Sequence, residues 1–401
     1  TVDMSERRLR NEYLPPYRAA VEAGCDLVMT SFNTIDGIPA TASRWLMHDV
    51  LRDEWGFDGP IITDYAAIDE LRAHGVAANR REAAKLAINA TVDIDMKTPC
   101  YAHELEGLVK AGEVSIEAID AACLRVLELK NKLGLFEDPY RTCSPERRAE
   151  VTCTPERLQS ARDTCDEALV LLKNEGGLLP LATGAEAPRV ALIGPYANSH
   201  DIIGMWAIHA DKSHSVTLAE AFAEVLGEDG FGWAQGCPML DDYSELGEFG
   251  KIPAFGAPTG ESTDPAAMEA EALELAASSD VVVMALGEHI LQSGEGGART
   301  DITIPAPQKR LLKRVRALGK PVVLVLFNGR PLALTDVIDD CDAIVEAWFP
   351  GTAGGRSVAD VLFGTVNPSG RLTVSFPHNV GQEPLYYAQF STGRPAKTST
   401  H

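Results

Sequence analysis

The sequence predicts an α/β protein built in two parts, each on a parallel sheet. Three observations carry this. Short apolar runs alternate with stretches of helical periodicity along most of the 401 residues. A polar, Pro-bearing stretch from Gly134 to about Thr154 interrupts that alternation. After it come continuous apolar runs, the pattern of strands covered on both faces.

In chain order, Ser5 to Ala23 reads as a helix, with Ser5 as N-cap and Gly24 as its stop. Leu27 to Phe32 reads as a short buried strand, Arg44 to Trp55 as a helix, and Gly59 to Asp64 as a second strand. A helix over Arg80 to Ala90, a third strand over Thr91 to Met96 and a long amphipathic helix over Ser115 to Leu133 follow. Three βα units are too few to close a barrel, so this part is expected to begin mid-domain. Within the polar stretch, Ser144-Pro145-Glu146-Arg147 and Thr154-Pro155-Glu156-Arg157 read as two helix starts, each with a hydroxyl cap and Pro in the first turn. A helix over Pro155 to Asn174 then leads to strands at Val190–Ile193, Val281–Leu286, Val322–Leu326 and Ala343–Ala347. Helices are expected near 217–226, 266–277, 306–317 and 356–363, and an acidic, Gly-rich excursion over 241–263.

Composition excludes more than it proposes. Asp plus Glu number 58 against 36 Lys plus Arg, a net charge of −22, which repels phosphate backbones and anionic lipid. Neither nucleic acid nor a membrane surface is therefore expected as a partner; a neutral ligand meets no such barrier. The eight cysteines are scattered without zinc-ligand spacing and read mostly as small buried hydrophobes, with Cys143 and Cys153 among the closest pairs.

Two carboxylates stand out. Asp64 closes a strand, where polar residues face the mouth of a parallel barrel and an ionised carboxylate can act as a nucleophile. An equally ordinary job there is capping the next helix. Glu295 lies in Gly287 to Asp301, directly after an apolar strand, with glycines on both sides that let its backbone swing. Its bland reading is a solvated acidic loop. Glu288 and His289 compete with it, His289 reading as a hydrogen-bonding loop residue. Arg299 and Asp301 read as a pair or as loop caps. Met29 and Phe32 at a strand end, and Trp206 in Gly204-Met205-Trp206-Ala207, offer apolar or aromatic surface; Asp93 and Asp95 read as supports. The Gly-x-Gly spacing around Glu295 opens no helix and lacks a phosphate-binding Lys, which argues against a nucleotide enzyme.

Taken in order, these stretches resemble the two-domain β-glucosidases of glycoside hydrolase family 3. The carriers are Met29-Thr30-Ser31-Phe32-Asn33 with Gly37-Ile38-Pro39, and Leu51 to Gly59 followed by Thr63-Asp64-Tyr65. Leu171-Leu172-Lys173-Asn174, Ser293-Gly294-Glu295 with Arg299-Thr300-Asp301, Asn328-Gly329-Arg330-Pro331, Trp348-Phe349-Pro350-Gly351 and Asn367 to Leu372 complete the pattern. The resemblance implies the C-terminal part of a (β/α)8 TIM-like barrel over residues 1–136, a linker over 137–154 and an α/β sandwich domain over 155–401. It implies retaining, exo-acting hydrolysis of β-glycosides, with Asp64 as nucleophile and Glu295 as acid/base. Met29, Phe32, Tyr65 and Trp206 would border the sugar of a β-linked glucoside or oligosaccharide, and no metal or organic cofactor is called for. A periplasmic or secreted location is favoured over a cytoplasmic one, a homo-oligomer stays open, and the first half of the barrel is expected upstream of Thr1. Alternatives are a sugar-binding relative with impaired catalysis, a β-xylosidase, and a hexosaminidase, which typically uses a His-Asp pair on a barrel loop. Three departures stand against the pattern: Tyr65 where Trp is usual, Ala207 where Ser is common, and Thr91 where Gly is usual.

Overall fold

Ser5 accepts a hydrogen bond from Arg8 N at 3.2 Å and opens the first helical stretch, which continues through a π turn at Leu9–Tyr13 into a helix over Leu14–Glu22. Pro15 and Pro16 fall in the first turn of that last segment, where their missing N–H groups cost nothing. The computed structural model describes residues 2–207, 210–247, 250 and 264–393. The chain divides into two units, Thr1–Glu146 and Arg147–His401.

In the first unit, strands β1 (Val28–Met29) and β4 (Ile61–Ile62) pair in parallel, and Ile94 bridges Ile62 in parallel on the far side. Thr30 N donates to Ile62 O at 2.9 Å, and Thr63 N to Ile94 O at 3.0 Å. All three expected strand positions thus lie side by side. Between β1 and β4, a small hairpin of β2 (Thr34–Ile35) and β3 (Ile38–Pro39) turns at Asp36-Gly37, where both residues have positive φ, as a tight two-residue turn requires. The helix Arg80–Asn89 buries Ala83, Ala84, Ala87 and Ile88, small residues that let it lie close against Ile61, Ile68, Leu71 and Leu108 in one apolar core. Helices Ala67–Ala73 and Cys100–Lys110 were not expected. The first is short and neither has a side-chain cap, so the usual start signals are missing.

One buried carboxylate ties this unit together. Asp93 accepts from Arg52 Nη2, Arg125 Nη1 and Ile61 N, each at 2.7 Å. Its side chain has no solvent exposure. Three otherwise separate elements therefore share it: the helix Trp45–Glu54, the strand β4 and the helix Ile116–Lys132.

The second unit holds a mixed six-stranded sheet in the order β5 (Val170–Asn174), β10 (Ala343–Glu346), β9 (Val322–Phe327), β8 (Val281–Gly287), β6 (Val190–Ile193), β7 (Phe231–Ala234). Only β5 runs antiparallel. Every residue of β8 and β9 is buried, because alternate side chains enter two different cores. Val283, Ala285, Val323 and Val325 join the core that includes Leu218, Phe222, Val358 and Leu362. Val282, Met284, Leu324 and Leu326 join the one that includes Ala272, Leu311 and Leu312. Helices on both faces of one sheet make this unit the expected α/β sandwich.

Both Ser/Thr-Pro starts open helices, Pro145–Val151 and Pro155–Ala168, the first of them inside the segment expected as linker. The expected helix to Asn174 needs correction: it stops at Ala168, and Leu169 is already extended. Val170 to Asn174 instead form β5, where pairing to β10 outweighs the helix preference of Leu171 and Leu172. Strand β7 was missed because Phe231-Gly232-Trp233-Ala234 is short and carries a glycine. A methyl on Gly232 would stand 2.6 Å from Leu275 Cδ1, so the leucine side chain would have to shift to admit it. Of the excursion expected over 241–263, residues 248–249 and 251–263 lie outside the described residues. All eight cysteines are free thiols: Cys100, Cys165, Cys237 and Cys341 are buried, whereas Cys25, Cys123 and Cys143 are exposed. No helix among the described residues is long and apolar enough to cross a membrane.

Candidate active site

In the first unit the candidate residues gather at the C-terminal ends of β1 and β4. Met29 is in register with Ile62, two residues before Asp64. Thr63 is buried, and its hydroxyl accepts from Met96 N at 2.9 Å, which ties the end of β4 to the neighbouring strand position. Asp64 follows, half-buried, with Oδ1 accepting from Tyr65 N at 2.6 Å. The helix-cap alternative is not realised. The helix Ala67–Ala73 begins behind Ala66 without any side-chain cap, and the Asp64 carboxylate points at its own neighbour instead. Ala66 has φ 61°, a left-handed conformation that costs a side-chain-bearing residue about 1 kcal/mol; its N–H donates to Met96 O at 2.9 Å, which holds the turn.

Tyr65 is 53% exposed and Met29 48% exposed, so neither is core. Phe32 is half-buried in the turn after β1. Lys97 Nζ lies 5.1 Å from the centroid of the Tyr65 ring, within range of a cation–π contact. Asp95 accepts from Thr98 Oγ1 at 2.6 Å and from Tyr101 N at 3.2 Å, which makes it a framework residue at the start of the helix Cys100–Lys110. The departure at Thr91 also has a physical reading. Its φ is 68°, the conformation in which glycine is at ease. Arg52 holds it there, donating to Thr91 Oγ1 at 3.0 Å and to Thr91 O at 3.1 Å.

In the second unit, the loop after β8 has a buried base and an exposed tip. At the base, the Gln308 amide clasps both main-chain groups of Gly287, at 2.8 and 2.9 Å. A methyl on Gly287 would stand 1.7 Å from Phe327 O, so only glycine allows this approach. Glu288 is fully buried; Arg299 Nη1 lies 2.7 Å from its Oε1, Arg330 Nε 2.9 Å from the same oxygen, and Gly329 N donates to Oε2 at 3.2 Å. Glu288 is therefore committed to the framework and does not compete with Glu295. Of the two expectations for Arg299 and Asp301, the pair is not formed and the loop cap is: Arg299 reaches back to Glu288, and Asp301 accepts from Thr303 N and Oγ1. His289 is buried, with Nδ1 accepting from Leu291 N at 3.2 Å, and burial lowers its pKa. It is a neutral loop residue, as its sequence context suggests.

At the tip, Glu295 is exposed between Gly294 and Gly296, both with positive φ. Its carboxylate has no hydrogen-bond or ion-pair partner among the described residues. A methyl placed on Gly294 would meet Trp206 Nε1 at 3.7 Å. The indole, 64% exposed, thus lies against the loop one residue before Glu295. Met205, Leu246, Leu291 and Arg299 line with Glu295 a cavity of about 100 Å³. Asp64, Tyr65, Met29 and Phe32 belong to one unit, Glu295 and Trp206 to the other.

Sequence reasoning missed Glu346, at the end of β10. Burial, reinforced by the nearby Glu288, pushes its pKa from an ordinary 4.5 up to about 8, against bonds donated by Trp348 N at 2.9 Å and Asn328 Nδ2 at 3.2 Å. Folded chains hold a proton there that unfolded chains release between those values. The resulting stability is complete below the unfolded pKa and is lost as pH rises toward about 8, at about 1.4 kcal/mol per pH unit within the window. Urea unfolding at about pH 5.5 and about pH 7.5 should show this loss in the parent and largely abolish it in Glu346→Gln. His289, whose lowered pKa acts in the opposite sense, is common to both proteins.

Among the described residues one group, His48, Asp49 and Asp53, brings three metal-type donors within 4.8 Å of one another. His48 Nδ1 is already 2.8 Å from Asp49 Oδ1, and Arg44 lies 3.9 Å from the same carboxylate. Two of the donors, His48 and Asp49, are thus already engaged with each other and with Arg44.

Residues 1–129 match the glycosyl hydrolase family 3 N-terminal domain, and residues 169–400 match the family 3 C-terminal domain. A periplasmic β-glucosidase of Salmonella typhimurium is 42% identical over 98% of this chain and 52% of its own length. A β-xylosidase of Formosa agariphila is 35% identical over 96% of this chain and 52% of its own. The crystal structure of a Listeria innocua β-glucosidase in complex with glucose superposes with a TM-score of 0.86 at 42% identity, over 98% of this chain and 50% of that one. The chain spans about half the length of the curated relatives it matches. On two domain matches in family order, and on carboxylates set at a strand end and in a glycine-flanked loop, the chain belongs to glycosyl hydrolase family 3.

Proposed function

We propose that the protein hydrolyses β-glucosides from the non-reducing end with retention of configuration. The observation that carries the reading is the state of its two singled-out carboxylates. Among the described residues neither is matched with a cation: Asp64 accepts only the Tyr65 amide at 2.6 Å, and Glu295 is unpartnered. The other carboxylates placed on these segments, Asp93, Asp95 and Glu288, are all engaged.

In this mechanism Asp64 attacks the anomeric carbon as the glycosidic C–O bond breaks, and Glu295 gives its proton to the departing oxygen. Water then loses a proton to Glu295 and its oxygen bonds to the same carbon, which releases Asp64 from the glycosyl ester. Tyr65, Met29, Phe32 and Trp206 supply apolar and aromatic surface suited to a sugar ring. A β-glucoside is the first choice of substrate because the relatives at 42% identity are β-glucosidases. The β-xylosidase at 35% identity supports a pentose as the second. The periplasmic relative favours an extracytoplasmic location.

Proton NMR of an aryl β-glucoside during turnover tests the reading directly. Retention releases β-glucose first, which then mutarotates. Release of α-glucose first would mean inversion and would remove Asp64 from the nucleophile's role.

A further inference from the structure

We infer that Arg330 is a positioning residue for Glu295, a clamp that sets where the loop tip stands; the inference rests on the reading of Glu295 as the general acid. One guanidinium nitrogen, Arg330 Nη2, donates to both Gln292 O and Gly297 O, the carbonyls on either side of Ser293-Gly294-Glu295-Gly296. The tip is thereby closed into a ring with the arginine at its neck. Arg330 is itself held by an ion pair, with Nε 2.9 Å from the fully buried Glu288 though without a hydrogen bond from that N–H, and the other Glu288 oxygen accepts from Gly329 N. The neck also rests on bare backbone: a methyl on Gly329 would stand 2.2 Å from Ser293 Oγ.

The tip needs such a hold. Gly294 and Gly296 have φ of 95° and 71°, conformations that glycine adopts freely and that do nothing to stiffen the chain. No bond of the Glu295 carboxylate to a described residue fixes it either. A general acid must meet the departing oxygen at hydrogen-bond distance, and a misplacement of about 1 Å costs on the order of 100-fold in rate. With Nη2 on the two carbonyls at the neck, Arg330 acts through Glu295. A lysine keeps the charge but, as a point donor, lacks the planar fork that joins both carbonyls to Glu288.

The test uses Arg330→Met and Arg330→Lys in the full chain, with two readouts. Hydrogen exchange at the Gly297 amide, which donates to Gly294 O at 3.1 Å inside the clamped loop, should rise about tenfold or more in both variants, while the amides of β8 and β9 stay protected. kcat/KM, which reports the step that expels the leaving group, should fall about 100-fold on alkyl β-glucosides, whose leaving group needs the acid, and by less than about tenfold on dinitrophenyl β-glucoside, which does not. Unchanged exchange in both variants overturns the clamp whatever the activity does. Raised exchange with equal losses on every leaving group overturns its positioning role. If Glu295→Gln also shows equal losses on every leaving group, the fault lies in the assignment of Glu295 and not in the clamp.

Discussion

Asp64→Asn lowers kcat/KM on an aryl β-glucoside by about 10⁴-fold or more while leaving the protein folded. The amide fills the same space, and its oxygen still accepts the Tyr65 N–H bond at 2.6 Å that is the carboxylate's main local contact. The residues that hold the strand end, Ile61 and Thr63, are untouched. Stability should therefore change by no more than about 0.5 kcal/mol, the range of substitutions outside core and networks, and the urea midpoint checks it. A neutral amide is a poor nucleophile toward an anomeric carbon, so the covalent step is lost. Asp64→Gly in the presence of azide gives the sharper result. The small anion enters the space the carboxylate leaves and attacks from that side, so the product is the α-glycosyl azide. Recovery of the β-azide would place the missing group on the other face and contradict the assignment.

The complementary experiment removes the acid. Glu295→Gln should lose on the order of 10²- to 10⁴-fold with leaving groups that need a proton. With dinitrophenyl β-glucoside the first step needs no acid, so the glycosyl-enzyme forms quickly and accumulates. A burst of dinitrophenol then precedes a slow steady state, limited by water that no longer has its base. Azide, which needs no base, should restore turnover and give the β-glycosyl azide. A loss equal for both kinds of substrate, with no burst and no azide effect, would return Glu295 to an ordinary solvated loop. Because the side chain is exposed and unpartnered among the described residues, the substitution should leave the unfolding midpoint unchanged.

Much of this architecture is legible in the residues because burial on both faces writes a plain pattern. The runs Val281 to Leu286 and Val322 to Leu326 contain no polar residue, and they form the centre of the sheet. Asp64 and Glu295, the carboxylates proposed to act, were singled out by position, one just past a strand and one in a glycine-flanked loop, and by the motifs around them. What stayed illegible depends on partners far apart in sequence. Leu171 and Leu172 look helical until β10 is there to pair with them. Glu288 reads as a rival acid until Arg299 and Arg330 close on it from 11 and 42 residues away, the latter spacing being that between the two residue numbers. The raised proton affinity of Glu346 depends on burial, which a sequence spacing does not disclose. Of the two readings of Arg299 and Asp301, mutual pairing gave way to the loop cap: Asp301 accepts from Thr303 N and Oγ1, and Arg299 neutralises Glu288, whose buried charge would be costly to leave unpaired.

The buried Asp93 carries a lesson for anyone mapping this protein by mutation. It joins a helix, a strand and a second helix through three bonds of 2.7 Å, and the strand it grips, Ile61–Ile62, leads two residues later to Asp64. Any substitution there strands two guanidiniums and an amide at once and lets the end of that strand drift. In a deep mutational scan scored by turnover alone, Asp93 would rank beside the chemical residues and pass for a third catalytic carboxylate. Scoring the same library for soluble yield would separate the two classes, since Asp93 variants would drop out of both screens and Asp64 variants out of only one.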